Sequence, residues 1–78
     1  MRYKERIEIN PDVLVGKPII KGTRISVEFI LELLASGWGT EQILKNYPQL
    51  TKDDILAAIE YSLEVLRDKH IIRERNLQ

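Results

Sequence analysis

SVEFILELLASG, residues 26–37, is the stretch that decides the fold. Ser26 is a good helix N-cap, and Glu28 in the first turn suits the positive end of the helix dipole. Phe29, Ile30, Leu33 and Leu34 recur at helical spacing, joined by Val27 and Leu31. Gly37, just past Ser36, is a C-terminal stop. The spacing predicts a first helix over about 26–36. Moving outward, Thr40 is expected to cap a short second helix, about 41–46, with Glu41 at its start and Ile43 and Leu44 inside. Pro48 ends it, because the residue before a proline avoids helical angles. Thr51-Lys52-Asp53-Asp54 then fits a capping box and opens a third helix. Ile55, Leu56, Ala58, Ile59, Ser62, Leu63 and Leu66 mark its expected buried face, and no breaker stops it before about residue 70.

Upstream of Ser26 the period changes. Ile7-Glu8-Ile9 alternates apolar and polar residues as a short strand does, and Asn10-Pro11 stops it. Val13-Leu14-Val15 and Ile19-Ile20 flank Gly16-Lys17-Pro18, which reads as a tight turn joining two extended segments into a small hairpin. Gly22 is expected to take a positive φ or allow a close backbone approach. The expected fold is mainly α: short N-terminal strands or a hairpin, followed by a trihelical, helix-turn-helix-like (homeodomain-like) bundle. It forms a single domain over 1–78, with strands and turns in 1–25, three helices in 26–70 and a tail in 71–78.

A chain of 78 residues has a thin core, worth roughly 3–5 kcal/mol. It has no cysteine and one histidine, so disulfides, thiolate metal sites and imidazole clusters are excluded and no cofactor is expected. Association with a second copy or another protein is the remaining source of stability. The longest apolar run is Ile55 to Ile59, against the roughly 20 residues a membrane span needs. The start, MRYKERIEIN, lacks the apolar region of a secretory signal, so a cytoplasmic protein with no membrane partner is expected. Net charge is zero but unevenly spread: residues 1–25 carry six basic against three acidic residues, 26–66 two against seven, and 67–78 four against two. Basic ends of this kind meet phosphate or an acidic partner, or are ordinary solvated surface.

Candidate sites follow from these elements. As a helix-turn-helix, the third helix would enter the DNA major groove with Lys52, Asp53 and Asp54 foremost, and two carboxylates there repel phosphate. Arg2, Lys4, Arg6, Lys17 and Lys21, together with Arg24, are the better DNA-contact candidates, as an arm or ribbon. Gly22-Thr23-Arg24 before the first helix reads as structure, with Thr23 bonding backbone and Arg24 pairing a carboxylate such as Glu28, or as an anion site; the P-loop pattern is absent. Asp53-Asp54 as a metal pair competes with simple stabilisation of a helix start, which explains both residues. His70 stands alone amid charge, so no Ser–His–acid set can be built and no enzyme or small-molecule substrate is expected. Trp38, between two glycines, reads as an aromatic on the helical core or as an interface anchor. The third helix carries more apolar surface than one face uses, and Leu56, Leu63 and Val65 are its candidate homodimer face.

Gly16-Lys17-Pro18-Ile19-Ile20-Lys21-Gly22-Thr23-Arg24-Ile25-Ser26-Val27 resembles the G-x-P-x-I-x-G-T-R-I-x-V signature of a bacterial and archaeal family, the domain of unknown function four-three-three. The likeness continues through Leu33 to Gly37, Gln42 to Leu44, Tyr47-Pro48, Leu50-Thr51, Asp54-Ile55 and Ala57 to Tyr61, about residues 7–66. The resemblance implies short strands before a trihelical domain. It also implies an antitoxin of VapB type, which neutralises a toxin of PIN-like nuclease fold by direct contact and can bind operator DNA as a dimer. The alternatives are a dimeric DNA-binding regulator without a toxin, or a structural interaction domain. The motif residues Gly16, Pro18, Gly22, Thr23 and Arg24 carry over as a structural and binding element. The tail after Leu66 lies outside the signature; its basic residues Arg67, Lys69, Arg73 and Arg75 are candidate contacts to the acidic centre of such a toxin.

Overall fold

The structure, a computed structural model, describes the backbone of residues 3–77 and the side chains of residues 4–68. A 3-10 turn at Tyr3–Glu5 leads into strand β1, Ile7–Ile9, which pairs antiparallel with β2, Pro18–Ile20. Ile7 lies opposite Ile20, Glu8 opposite Ile19 and Ile9 opposite Pro18. Three helices follow: α1 over Val27–Ala35, α2 over Thr40–Asn46 and α3 over Lys52–Leu77. The molecule is thus a mainly-α domain with a two-stranded N-terminal hairpin.

The hairpin is not the one expected. Ile19-Ile20 pair with Ile7 to Ile9, not with Val13 to Val15. Leu14–Gly16 coil instead into a left-handed turn, and the whole 10–17 segment becomes the connection between the strands. Alternating β-branched residues on both sides of a Gly-Lys-Pro turn are a local signal. The earlier strand wins because Ile7 reaches the core from β1, whereas Val15 reaches nothing.

Local chemistry sets the helix ends. The Ser26 hydroxyl accepts from the Phe29 N–H at 2.9 Å, which holds the start of α1. At the other end Gly37 takes φ 96°; its N–H donates to the Leu34 carbonyl and the Trp38 N–H to the Leu33 carbonyl, both at 3.0 Å. These are the two bonds of a Schellman stop. α2 starts differently from expectation: Gly39 is its N-cap and Thr40 its first residue, with no side-chain cap bond. The start of α3 is a reciprocal capping box. Thr51 Oγ1 accepts from the Asp54 N–H at 3.2 Å, and Asp54 Oδ2 accepts from the Thr51 N–H at 2.9 Å. α3 runs past the expected end near residue 70, to Leu77.

The core lies where β2 and the three helices meet. Ile20, Ile25, Val27, Ile30, Ile43, Leu50, Ile55 and Ala58 form one buried cluster. Trp38 joins it from the side, half-buried and 6.5 Å from the Tyr47 ring, which in turn makes an edge-on contact with Phe29 at 5.4 Å. Arg6 ties the strand end of the molecule to the helical end. Its guanidinium donates to Asp54 Oδ1 at 3.1 Å and lies 3.5 Å from Asp53.

Candidate functional site

The connection between β1 and β2 is held by short-range bonds. The Asn10 side chain accepts from the Asp12 N–H at 2.9 Å, and the Asn10 carbonyl accepts from the Val13 N–H at 2.9 Å. The Gly16 and Lys17 N–H groups then donate back to Val13 and Leu14. To make these bonds the chain passes through φ 50° at Leu14, 56° at Val15 and 78° at Gly16. A left-handed conformation costs an L-residue about 1–2 kcal/mol, and β-branching makes Val15 an outlier even among those. Burial does not offset the strain, since the Val15 side chain is 94% exposed. A strained backbone that presents an apolar side chain to water suits function better than folding. Val15→Gly is therefore expected to raise stability by about 1 kcal/mol, because glycine adopts this conformation without strain. Urea unfolding of the variant checks this.

Beside Val15 lies an open cleft of about 560 Å³, whose walls include Leu14, Val15, Phe29, Lys17, Glu32 and Arg24. A second cleft of about 590 Å³ is bordered by Glu8, Asn10, Val13, Thr23 and again Arg24. Arg24 thus stands between two clefts. Its expected pairing with Glu28 is not made: Lys17 holds Glu28 at 3.1 Å. Both partners of that bridge are exposed, so it contributes little to stability. Among the described residues no ion pair or side-chain hydrogen bond engages Arg24. Its guanidinium is available for a bidentate contact with a carboxylate or phosphate.

The other motif residues build this arrangement through their backbone geometry. Gly16 closes the left-handed turn, Pro18 opens β2, and Gly22 takes φ 81° in the turn after β2. A Cβ at Gly22 would meet nothing, so backbone conformation alone asks for glycine there. Thr23 bonds backbone as expected: its hydroxyl donates to the Ile20 carbonyl at 2.8 Å and accepts from the Ile25 N–H at 3.0 Å.

Two of the expected DNA contacts are engaged in ion pairs. Arg6 is committed to Asp54 and Asp53, and Lys17 to Glu28. Lys4 and Lys21 are exposed, and Arg2 lies outside the described residues. At the start of α3, Asp54 is turned inward and only Lys52 and Asp53 face solvent. Of the expected toxin contacts, Arg67 is exposed on α3; the side chains of Lys69, Arg73 and Arg75, like that of His70, lie outside the described ones. The proposed dimer face is partly redrawn. Leu56 and Leu63 are exposed, but Val65 is half-buried, and Ile59 and Leu66 take its place in the exposed stripe. The stripe's spacing of three, four and three residues is that of a coiled-coil seam. Sequence reasoning missed Val15, since no signal marks a valine as left-handed.

Among the described residues no group of three or more His, Cys, Asp or Glu side chains could hold a metal ion. No helix among them is long and apolar enough to cross a membrane.

Residues 7–62 match the family described as a protein of unknown function, DUF433. The chain is 32% identical over 59 residues to the uncharacterized protein y4eO of Sinorhizobium fredii, covering 76% of this chain and 27% of that protein. It therefore spans about a quarter of that relative's length. Among solved structures it is similar to the crystal structure of a DUF433 member protein from Anabaena variabilis, with a TM-score of 0.74 and 35% identity. That likeness covers 88% of this chain and 66% of the other.

Proposed function

The chain belongs to the DUF433 family of proteins of unknown function, and from that premise we propose that it is a non-enzymatic, antitoxin-like (VapB-type) binding module. It neutralises a PIN-like nuclease toxin in the cytoplasm by direct contact, and takes neither a cofactor nor a small-molecule substrate. The observation that carries this reading is Val15, strained, apolar and 94% exposed next to an unpaired arginine. An apolar anchor beside a guanidinium suits a protein surface with a carboxylate-lined centre. A nuclease of this class presents such a centre, because its carboxylates hold the catalytic metal. The exposed stripe Leu56, Ile59, Leu63 and Leu66 supports assembly of the module as a homodimer. DNA binding is the less favoured role, because Arg6 is spent on its ion pairs with Asp54 and Asp53.

Affinity capture from native cytosol tests this, with wild type and Val15→Asp as bait at two salt concentrations and mass spectrometry as readout. Aspartate tolerates the left-handed conformation, so the variant is expected to keep its fold. A nuclease retained by wild type at both salts and lost from Val15→Asp is the expected result. Nucleic acid alone, released by the higher salt, would overturn it in favour of a DNA-binding regulator.

A further inference from the structure

The outer edge of β1 offers a second surface, with a different geometry. The Lys21 N–H donates to the Arg6 carbonyl at 2.8 Å, so Arg6 and, two residues on, Glu8 turn their main-chain groups toward β2. In an antiparallel ladder the alternate residues face the other way. Ile7 and Ile9 therefore direct N–H and C=O away from β2, and no partner engages those groups among the described residues. The far side of β2 is already used: the Ile20 N–H donates to the Ile25 carbonyl at 2.9 Å, and Ile19 bridges Ser26. β1 is thus the open edge of the sheet. It is three residues long with one charge, Glu8, and carries no proline, lysine or bulge. Beside it runs an open cleft of about 330 Å³ lined by Lys4, Ile7, Ile9 and Tyr61, with Ile9 60% exposed at its mouth.

We infer that the edge of β1 is a docking site for an extended segment of a partner protein, added as a third strand with an apolar–basic–apolar pattern. Residues paired with Ile7 and Ile9 share their face of the sheet, so they lie over the Tyr61 cleft and are apolar. The residue between them lies on the Glu8 face and is basic. A second copy of the chain fits poorly. Antiparallel pairing centred on Glu8 sets two Glu8 side chains against each other, and like charges directly opposite destabilise a sheet. Moving the centre to Ile9 brings Ile7 against Pro11, which has no N–H; moving it to Ile7 brings Ile9 against Glu5, which lies in the 3-10 turn. The inference rests on strand geometry and not on the nuclease reading, so either can fail alone.

The test uses ¹⁵N-labelled full chain and a blocked pentapeptide, TVKVT, with two controls: TVEVT, and TVKVT N-methylated at both valines. TVKVT is expected to shift the Ile7 and Ile9 amides saturably and slow their exchange. The glutamate control binds about threefold more weakly through repulsion at Glu8, and the N-methylated one about tenfold or more, through lost main-chain bonds. Ile9→Pro removes an outward donor without touching the ladder, so it keeps the melting transition and abolishes the shift at Ile7. Equal binding by the N-methylated peptide, or no shift at Ile7 and Ile9, overturns the inference. Protection of the two amides that grows with protein concentration, without peptide, overturns it in favour of a second copy.

Discussion

Asp54→Ala is expected to destabilise the fold by about 2–4 kcal/mol, on the scale of losing a helix cap together with one partner of a buried ion pair. The carboxylate has two tasks. One oxygen accepts the Thr51 N–H at 2.9 Å, and the other accepts the Arg6 guanidinium at 3.1 Å. Its side chain is 9% exposed, so water cannot replace either bond fully once the group is gone. Arg6, 38% exposed and still 3.5 Å from Asp53, finds partial compensation, which is why the lower part of the buried-pair range applies. Asp54→Asn keeps an oxygen for Thr51 but loses the charge, and should cost about half as much. Because Arg6 precedes β1 and Asp54 opens α3, Asp54→Ala loosens the contact between the hairpin end and α3 as well as the helix start. Equilibrium urea unfolding of Asp54→Ala, Arg6→Ala and the double variant measures this. A coupling energy above about 1 kcal/mol is expected for residues in direct contact; additive losses would mean that the pair acts only as two separate surface charges.

Ile43→Ala is the second large effect, expected at about 3–4 kcal/mol. Ile43 is completely buried and is the only buried residue of α2. A seven-residue helix has little stability of its own, so this side chain is the main anchor of α2 to the core. The loss is comparable to the roughly 3–5 kcal/mol that a core of this size supplies. Loss of the cooperative thermal transition in Ile43→Ala is the expected reading by circular dichroism. Leu44→Ala, at a half-buried position on the same helix, should keep the transition at a lower midpoint. Equal losses at the two positions would contradict the anchoring role of Ile43.

Which parts of this fold were legible in the sequence follows from the range of the interactions. Ser26, Gly37 and the Thr51–Asp54 box act within three or four residues, and each sits where local chemistry placed it. The strand partner of Ile19-Ile20 depends on which distant segment fills the core, and local alternation pointed to Val13 to Val15 instead of Ile7 to Ile9. The Arg6–Asp54 pair spans 48 residues and leaves no local trace. On α3, Ile55, Leu56, Ala58 and Ile59 are apolar around most of the helix, so the expected buried face wrongly included Leu56, Ile59, Leu63 and Leu66. The body took Ile55, Ala57 and Ala58, with Tyr61, Ser62 and Val65 at its margin, and left Leu56, Ile59, Leu63 and Leu66 to solvent. Of the candidate site, the motif around Gly22-Thr23-Arg24 was legible as turn chemistry. The freedom of Arg24 depended on Lys17 capturing Glu28, and the strain at Val15 on a connection whose ends the sequence did not reveal.

The central proposal is that this module silences a nuclease through the surface around Val15 and Arg24. Its most direct measurement is an RNA-cleavage assay of a PIN-type nuclease from the same genome, titrated with wild-type chain and with Val15→Asp. Stoichiometric inhibition by wild type, lost in a Val15→Asp variant that melts as wild type does, is the expected result. Cleavage that continues unchanged in the presence of wild type, or inhibition equal for both proteins, would contradict it.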